Sequence, residues 1–383
     1  MALSATEADD AVWDRRNGRH FYTGSAWLRA FAELAGLSFV RVDGVAASAV
    51  GHRVHADRTN PRYTHRVLYD DALLEPVGDY GLVGGCAGYE GHLPREDVAT
   101  ADDERAVVRR LASQLGTEVL LAAHLPEDEA RRVVEHEVLP GAATPVLGMV
   151  VAELDLAGAS TFEDYVAGLS RNARSVVRRD LRRAQTAGLR TEVGPLAPVV
   201  AEVAPLLGQV QGHHGDDPDP EAAAAYLRLC CHGSLADAAL AFVTRDAGGR
   251  AVAFSLGYSW HDTVFMRVAG LDYTRAGESG AYFESYFYAP VRHALDTGRV
   301  RVDFGGESLE SKLRRGARPQ ARWSLSVGAA VDADRAREVT ARRVASLPSG
   351  RGPAPGSAGW LEVHDALTGT AAGRAWHPMG AGR

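Results

Sequence analysis

The chain has 383 residues, of which 46% are hydrophobic and 24% charged, and its formal net charge at pH 7 is −7. This length predicts two domains rather than one small core, and the acidic balance excludes a general nucleic-acid coat protein while leaving room for a local basic site. Three cysteines give no disulfide framework, the acidic N-terminus carries no secretory signal and no apolar run reaches ~18 residues, so we expect a cytoplasmic protein without a membrane span.

Residues 1–152 are predicted to form an N-terminal domain that opens with a helix over 11–36. The glycine-rich stretch 77–92 is interpreted as a set of tight turns or as a loop whose backbone approaches a ligand. The remaining predicted elements are four strands and two helices: strands at 38–42, 46–50, 117–121 and 140–151, and helices at 102–116 and 126–137.

Residues 153–330 are predicted to form a second domain, and residues 331–383 a C-terminal extension with a Pro/Gly/Ser-rich segment. Asp219 is a predicted N-cap, with Pro220 at the first position of the following helix. One predicted helix begins at 161, and three others span 171–187, 221–232 and 279–297. The predicted strands span 239–244, 251–258, 263–269, 300–304 and 323–330. Meander strands followed by a helix and a strand predict an α/β fold with a mixed (α+β) sheet rather than a Rossmann alternation.

Arginines line one face of the predicted helix 171–187. Arg174, Arg178 and Arg182 recur at intervals of four, opposite an apolar face. Like charges on one stripe repel, so the stripe either serves an anionic partner such as phosphate or is a solvated face with distant acidic partners. We take these three arginines as candidate donor-binding residues.

The predicted helix 279–297 carries a second candidate group. Phe283, Phe287 and Val291 form an apolar stripe that we expect to be buried, and Glu284 and Tyr288 share another face. A glutamate in this position either accepts a proton from a substrate amine or forms a surface ion pair.

Forty-two residues are basic, and only one of them, Lys312, is a lysine. In a chain that otherwise uses arginine, this lysine indicates a need for a compact ammonium that a guanidinium cannot meet, the alternative being chance survival on the surface. Gly305 and Gly306 precede it, so Glu307, Lys312 and Arg315 can converge near a strand end. A lysine there can hold an oxyanion or a phosphate, and we expect a Lys312→Arg protein to fold but to be impaired.

Two further motifs are weaker. His213 and His214 precede an acidic loop, but adjacent residues rarely ligate one ion with good geometry, so we predict no metal site. The segment 277–280 misses the serine hydrolase pattern by one position. His214 is kept, with Tyr282 and Tyr288, as a candidate substrate-binding residue.

Two stretches of the second domain resemble a known family. The run LSRNARSVVRR at 169–179 is similar to the start of the second domain in Fem-like proteins. Residues 282–319, from YFESYFY to GGESLESKLRRGARP, resemble the peptidoglycan biosynthesis/recognition proteins of the GNAT superfamily. Glu307 lies five residues before Lys312, where the family pattern has one residue between them, and Ala317 stands where the family has Phe.

The resemblance covers mainly residues 150–330 and implies two GNAT-like domains in tandem, with the site in the second domain and in the cleft between them. Fem-like members transfer an aminoacyl group from aminoacyl-tRNA to an amine. GNAT members use acyl-CoA, whose pyrophosphate binds a loop at a helix N-terminus. Here the corresponding segment, 275–281, has another spacing and carries Glu278.

The resemblance therefore implies an N-acyltransferase without a tightly bound cofactor, which forms an amide on a small biosynthetic or cell-wall-precursor amine. Aminoacyl-tRNA is the expected donor, with tRNA as a partner, and acyl-CoA is the alternative. Lys312 would stabilise the oxyanion, Glu284 or Glu307 would accept the amine proton, and the arginine stripe with Arg315 would bind the donor. The alternative of another class is a non-catalytic recognition module for an anionic precursor.

Overall fold

The computed structural model describes residues 7–35, 38–55, 61–213, 215, 219–348 and 359–372. The strands are β1 Val40–Asp43, β2 Ser48–Val54, β3 Tyr80–Val83, β4 Leu120–Pro126, β5 Thr144–Asp155, β6 Arg190–Pro195, β7 Ala239–Arg245, β8 Ala251–Trp260, β9 Thr263–Leu271, β10 Arg301–Asp303 and β11 Arg318–Val327.

The helices are α1 Glu7–Asn17, α2 Ser25–Ala35, α3 His65–Tyr69, α4 Ala101–Leu115, α5 Glu127–Glu135, α6 Phe162–Gly168, α7 Arg171–Thr186, α8 Val200–His213, α9 Pro220–Cys230, α10 Tyr273–Ala276, α11 Ala281–Phe283, α12 Ala289–Asp296, α13 Leu309–Leu313, α14 Ala333–Ala345 and α15 Trp360–Ala372. None of the described helices is both long and apolar enough to cross a membrane.

The chain divides into two compact units, unit 1 with Met1–Val150 and Gln320–Arg383, and unit 2 with Val151–Pro319. This division differs from the predicted boundaries, because the C-terminal part of the chain returns to unit 1. The cause is strand pairing: residues 322–327 of β11 pair antiparallel with β4. A hydrophobic pattern identifies a strand but not its partner, so the sequence did not reveal this return.

Unit 1 contains the strand order β1-β2-β3-β4-β11, antiparallel except for the parallel pair β3–β4. The single helix predicted at 11–36 was wrong: α1 ends at Asn17, and Gly18 follows with φ +56°. The chain leaves the helical path there because glycine tolerates the left-handed conformation. Helix α4 is confirmed, with a capping box of Thr100 and Asp103 and a left-handed Gly116 at its end.

Unit 2 contains the order β5-β10-β9-β8-β7-β6, antiparallel except for the parallel pair β10–β9. The predicted mixed sheet is thus confirmed. Its core joins Val177 of α7 and Val291 of α12 to Val264 and Val302 on the strands. This packing fixes the end of β10, where the lysine segment begins.

The predicted helix 279–297 is interrupted. A π-helical turn, Glu284–Tyr288, separates α11 from α12. Pro290 explains it, because proline has no N–H for the carbonyl of Tyr286 and its ring crowds that carbonyl. Phe287 and Val291 are buried as predicted, whereas Phe283 is only partly buried.

The glycine-rich segment of unit 1 provides a test of backbone packing. A Cβ added at Gly91 would lie 2.2 Å from the carbonyl oxygen of Ala123, whereas one at Gly78 would meet nothing within 4 Å. We expect Gly91→Ala to lower the free energy of unfolding by about 1–3 kcal/mol, because backbone atoms must shift. Gly78→Ala is the matched control and should change it little. Urea denaturation measures both, and equal stability of the two variants would contradict the packing.

Candidate functional site

The single lysine lies inside unit 2. Lys312 is on α13 and is 3% exposed. Its Nζ donates to the carbonyl oxygen of Phe304 and, at 3.2 Å, to that of Gly305. The Phe304 carbonyl also accepts from the Tyr286 hydroxyl at 2.8 Å. The lysine therefore binds the backbone just after β10, and the alternative of chance survival on the surface does not fit its burial.

The environment of Lys312 changes its charge equilibrium. Burial lowers its pKa to about 8, although Asp303 and Glu307 act in the opposite direction. The Nζ also lies 5.4 Å from the centre of the Tyr286 ring. An ammonium has three N–H donors, and the two carbonyls account for two. A third N–H donor of the ammonium is therefore left for another acceptor. A planar guanidinium could not present such a donor in the same enclosed space.

A second buried group connects three elements of unit 2. Arg315 forms an ion pair with Asp180 of α7, and its Nε donates to the Tyr288 hydroxyl at 3.1 Å. That hydroxyl donates to Asp180 Oδ2 at 2.9 Å. The Arg315 guanidinium also lies 3.2 Å from the centre of the Phe283 ring. Arg315 and Tyr288 thus have their polar groups engaged within the protein, so the geometry favours a positioning role over direct contact with donor or substrate.

The two candidate proton acceptors lie in different surroundings. Glu284 is buried and pairs with Arg292, whose Nη1 is 2.5 Å from its Oε1. The Arg292 guanidinium packs 4.6 Å from the Phe162 ring centre. Glu307 is exposed, and its charge contributes to the pKa of Lys312. Of the two, Glu307 is the one whose electrostatic effect on the lysine is seen.

The arginines of α7 divide into two kinds. Arg174 is partly buried and donates to the carbonyls of Ala167 and Leu169, both at 2.9 Å, so it ties α7 to the end of α6. Arg178 and Arg182 are exposed and, within the described ranges, have no acidic side chain at ion-pair distance. The predicted solvated or anion-binding face therefore consists of these two, with Arg171 beside them.

Two other predicted residues complete the comparison. Tyr282 is half-buried and stacks on Tyr286, with ring centres 5.5 Å apart and planes 7° from parallel. His214 lies outside the described residues. Among those that are described, no group of three or more His, Cys, Asp or Glu side chains could hold a metal ion.

The sequence reasoning missed Asp180, Arg292 and Tyr286. Asp180 left a signal: it is the only acid in α7 and lies at helical spacing from the buried Ala173, Val177 and Ala184. A lone carboxylate on the apolar face of a basic helix requires a buried cation, since an unpaired buried charge is costly. The aromatic and arginine partners left no comparable pattern.

Comparisons with known proteins agree with this fold. Residues 171–313 match the family model of the acetyltransferase (GNAT) domain. FemX has a TM-score of 0.61 at 9% identity, over 86% of this chain and 98% of FemX. L-PGS from Bacillus licheniformis has a TM-score of 0.54 at 10% identity, over 85% and 93% of the two chains.

A further neighbour is the C-terminal domain of a protein described as lysylphosphatidylglycerol synthetase, from Agrobacterium fabrum, with a TM-score of 0.53 at 12% identity over 88% and 96% of the two chains. No curated protein matches the chain. At these identities the likeness to solved structures concerns the fold.

The fold is that of tandem GNAT-like domains, and residues 171–313 are a GNAT acetyltransferase domain. The match of residues 171–313 to this family supports the predicted N-acyltransferase class, and FemX is among the structural neighbours of the chain. The predicted GNAT domain and the predicted α/β fold are confirmed.

The pKa of Lys312 can be measured directly, because it is the only lysine. Protein labelled with ¹⁵N-lysine gives one side-chain signal, and its titration midpoint should be about 8 instead of ~10.4. Glu307→Gln should lower the midpoint further, because the carboxylate favours the charged ammonium. Glu310→Gln removes one charge from the same segment and should leave it unchanged. A wild-type midpoint near the ordinary lysine value would contradict the buried position.

Proposed function

We propose that this N-acyltransferase takes its acyl group from an aminoacyl-tRNA and transfers it to an amine of a small biosynthetic or cell-wall-precursor substrate. The observation that carries the proposal is that three arginines of α7, Arg171, Arg178 and Arg182, are exposed and have no acidic partner in the described part of the chain. A local stripe of this kind attracts a phosphate backbone even though the net charge is −7.

The segment before α11 supports the tRNA donor over acyl-CoA. Glu278 is 91% exposed there and lies 3.5 Å from Arg183. An exposed carboxylate at the start of a helix opposes the binding of an anionic pyrophosphate at that point. Gly277, with φ +46°, turns the backbone directly before Glu278. The glycine spacing of segment 275–281 also differs from that of the CoA-binding pattern.

The proposed chemistry uses the third donor of Lys312. An amine attacks the ester carbonyl of the aminoacyl-tRNA, a C–N bond forms, and the bond from that carbon to the ribose oxygen breaks. The Lys312 ammonium stabilises the negative charge that develops on the carbonyl oxygen. Glu307 accepts the proton that the amine loses, and the departing ribose oxygen takes up a proton in turn.

The remaining polar groups are proposed to position these two. Asp180, Arg315 and Tyr288 hold α7 against the segment that carries Lys312. The Tyr286 hydroxyl and the lysine share the Phe304 carbonyl. The half-buried Tyr282 ring and His214 remain candidate contacts for the acceptor amine.

A product screen tests the donor. Purified protein is incubated with a pool of charged tRNAs, or with a set of acyl-CoAs, in the presence of an amine panel, and amides are detected by mass spectrometry. We expect products with charged tRNA. If amides form with acyl-CoA and not with charged tRNA, the donor is acyl-CoA and the proposed tRNA donor is wrong.

Removal of the stripe should weaken tRNA binding in a salt-dependent way. Arg178→Ala with Arg182→Ala removes two phosphate contacts, so the slope of log affinity against log salt should fall by roughly 1.4–1.8. Arg228→Ala with Arg250→Ala removes two exposed arginines elsewhere in unit 2 and is the charge-matched control. Arg174 is left in place because it holds backbone carbonyls. Equal slopes for the two double variants would contradict a tRNA contact at α7.

Loss of the ammonium should lower kcat more than it raises KM. A donor to a developing oxyanion contributes roughly 100-fold to 1,000-fold in rate, so we expect Lys312→Met to fall in that range. Because Lys312 is buried, Lys312→Arg should also be less stable, unlike the sequence-based expectation of an intact fold. Urea denaturation beside the kinetics separates the two effects, and near wild-type turnover of either folded variant would remove Lys312 from the reaction.

A further inference from the structure

Unit 1 contains a cluster of enclosed titratable side chains that the acyl transfer described above does not use. His20 follows α1, and Glu90 and His92 flank Gly91 in the glycine-rich segment. The two imidazole rings stack with centroids 3.6 Å apart and planes 13° from parallel. The stacking places two largely buried imidazoles, each able to bind or release a proton, in direct contact.

Each imidazole is fixed by its own carboxylate. His20 Nδ1 bonds to Glu90 Oε1, and His92 Nδ1 bonds to Glu129 Oε2 at 2.7 Å. Burial by itself would raise the pKa of Glu90, but His20 and Arg322 outweigh it and hold the pKa at about 2. Ionised carboxylates only accept, so both Nδ1 atoms carry a proton.

Each oxygen of the two carboxylates already accepts from a donor of the protein. Glu90 Oε2 accepts from Arg322 Nη2 at 2.9 Å. Glu129 Oε1 accepts from the backbone N–H of Leu93 at 2.7 Å and from Arg132 at 3.1 Å. The other ring nitrogen of each histidine, Nε2, has no hydrogen-bond partner among the described residues and is not sealed inside the protein. The two Nε2 atoms are therefore the free functional groups of the cluster.

The two rings differ in charge. Burial works against the His20 imidazolium, but Glu90 and then Glu129 outweigh it and raise its pKa, while Arg19 opposes them. Burial lowers the pKa of His92, and the neighbouring His20 charge adds to that effect. Two imidazolium rings in stacking contact would also repel each other. At a pH of about 6.5, the ordinary pKa of histidine, His20 is thus mainly charged and its Nε2 is a hydrogen-bond donor, whereas His92 is mainly neutral and its Nε2 is an acceptor.

An adjacent donor and acceptor match a ligand group that has both an O⁻ and an O–H. A carboxylic acid has lost its proton at this pH, with a pKa of about 4. A phosphate monoester has a second pKa of about 6, so an appreciable fraction of it still carries one proton in the range in which histidine titrates. Arg19 is exposed and adds a positive charge near His20.

We propose that the stacked pair His20–His92 is a binding site for a phosphate group that carries one proton, either free phosphate or the terminal phosphate of a monoester. His20 Nε2 donates to the phosphate O⁻, and the phosphate O–H donates to His92 Nε2. The buried network of Glu90, Glu129 and Arg322 keeps the two rings in place. This site is independent of the proposed acyl transfer.

The test compares binding of anions that can carry a proton at the assay pH with binding of an anion that cannot. Calorimetric titration of the full chain at a pH near 6.5, the ordinary pKa of histidine, is carried out with inorganic phosphate, glycerol phosphate and sulfate. Sulfate has the same shape as phosphate but is fully ionised. We expect saturable phosphate binding at millimolar or lower Kd, at least about tenfold tighter than sulfate, a difference of ~1.4 kcal/mol. Tighter binding of glycerol phosphate than of inorganic phosphate would identify a monoester as the ligand.

Matched variants locate the site. His20→Gln should remove the preference for phosphate over sulfate, whereas His55→Gln, which changes an exposed histidine of unit 1, should retain it. If His20→Gln does not fold, the wild-type comparison of phosphate with sulfate decides. Equal binding of the two anions, absence of saturable phosphate binding, or retention of the preference in folded His20→Gln would each overturn the proposal.

Discussion

The buried ion pair between Asp180 and Arg315 is the constraint on which the arrangement of unit 2 depends. It joins the basic helix α7 to the segment after α13, and the Tyr288 hydroxyl lies between the two charges. Such a pair costs desolvation and is not in itself a source of stability. Removal of one partner would leave an uncompensated buried charge, with a penalty of about 3–5 kcal/mol, so the pair acts by excluding other arrangements of these elements.

The same logic explains the lysine. The Lys312 ammonium donates to two successive backbone carbonyls, those of Phe304 and Gly305, inside the protein. Gly305 has φ +67°, which helps its carbonyl to turn toward Nζ. An ammonium can bind both carbonyls and still offer a third proton, whereas a guanidinium brings a larger planar group into a closed site. Burial lowers the pKa of Lys312 to about 8, and this value is still high enough for the lysine to be mainly charged at neutral pH.

The two units solve the problem of buried charge differently. In unit 2, Asp180 and Arg315 neutralise each other and leave little to bind a ligand. In unit 1, the network around Glu90 and Glu129 satisfies the carboxylates but leaves one nitrogen on each stacked histidine. Polar groups whose hydrogen bonds are all made within the protein fix the positions of the side chains. A polar atom of the same network that has no partner in the protein can bind a ligand.

The sequence by itself determined the mixed sheet and most elements of unit 2, because these depend on local periodicity and capping. It also pointed to the arginines of α7 and to the single lysine as candidate site residues, through residue choice. The GNAT domain of residues 171–313 was also predicted from its motifs. The sequence did not determine that β11 returns to β4, or that Arg315 pairs with Asp180 rather than facing outward. These features were decided by the tertiary structure, because strand partners and counterions come from residues more than a hundred positions apart, and no local pattern encodes which of them will meet.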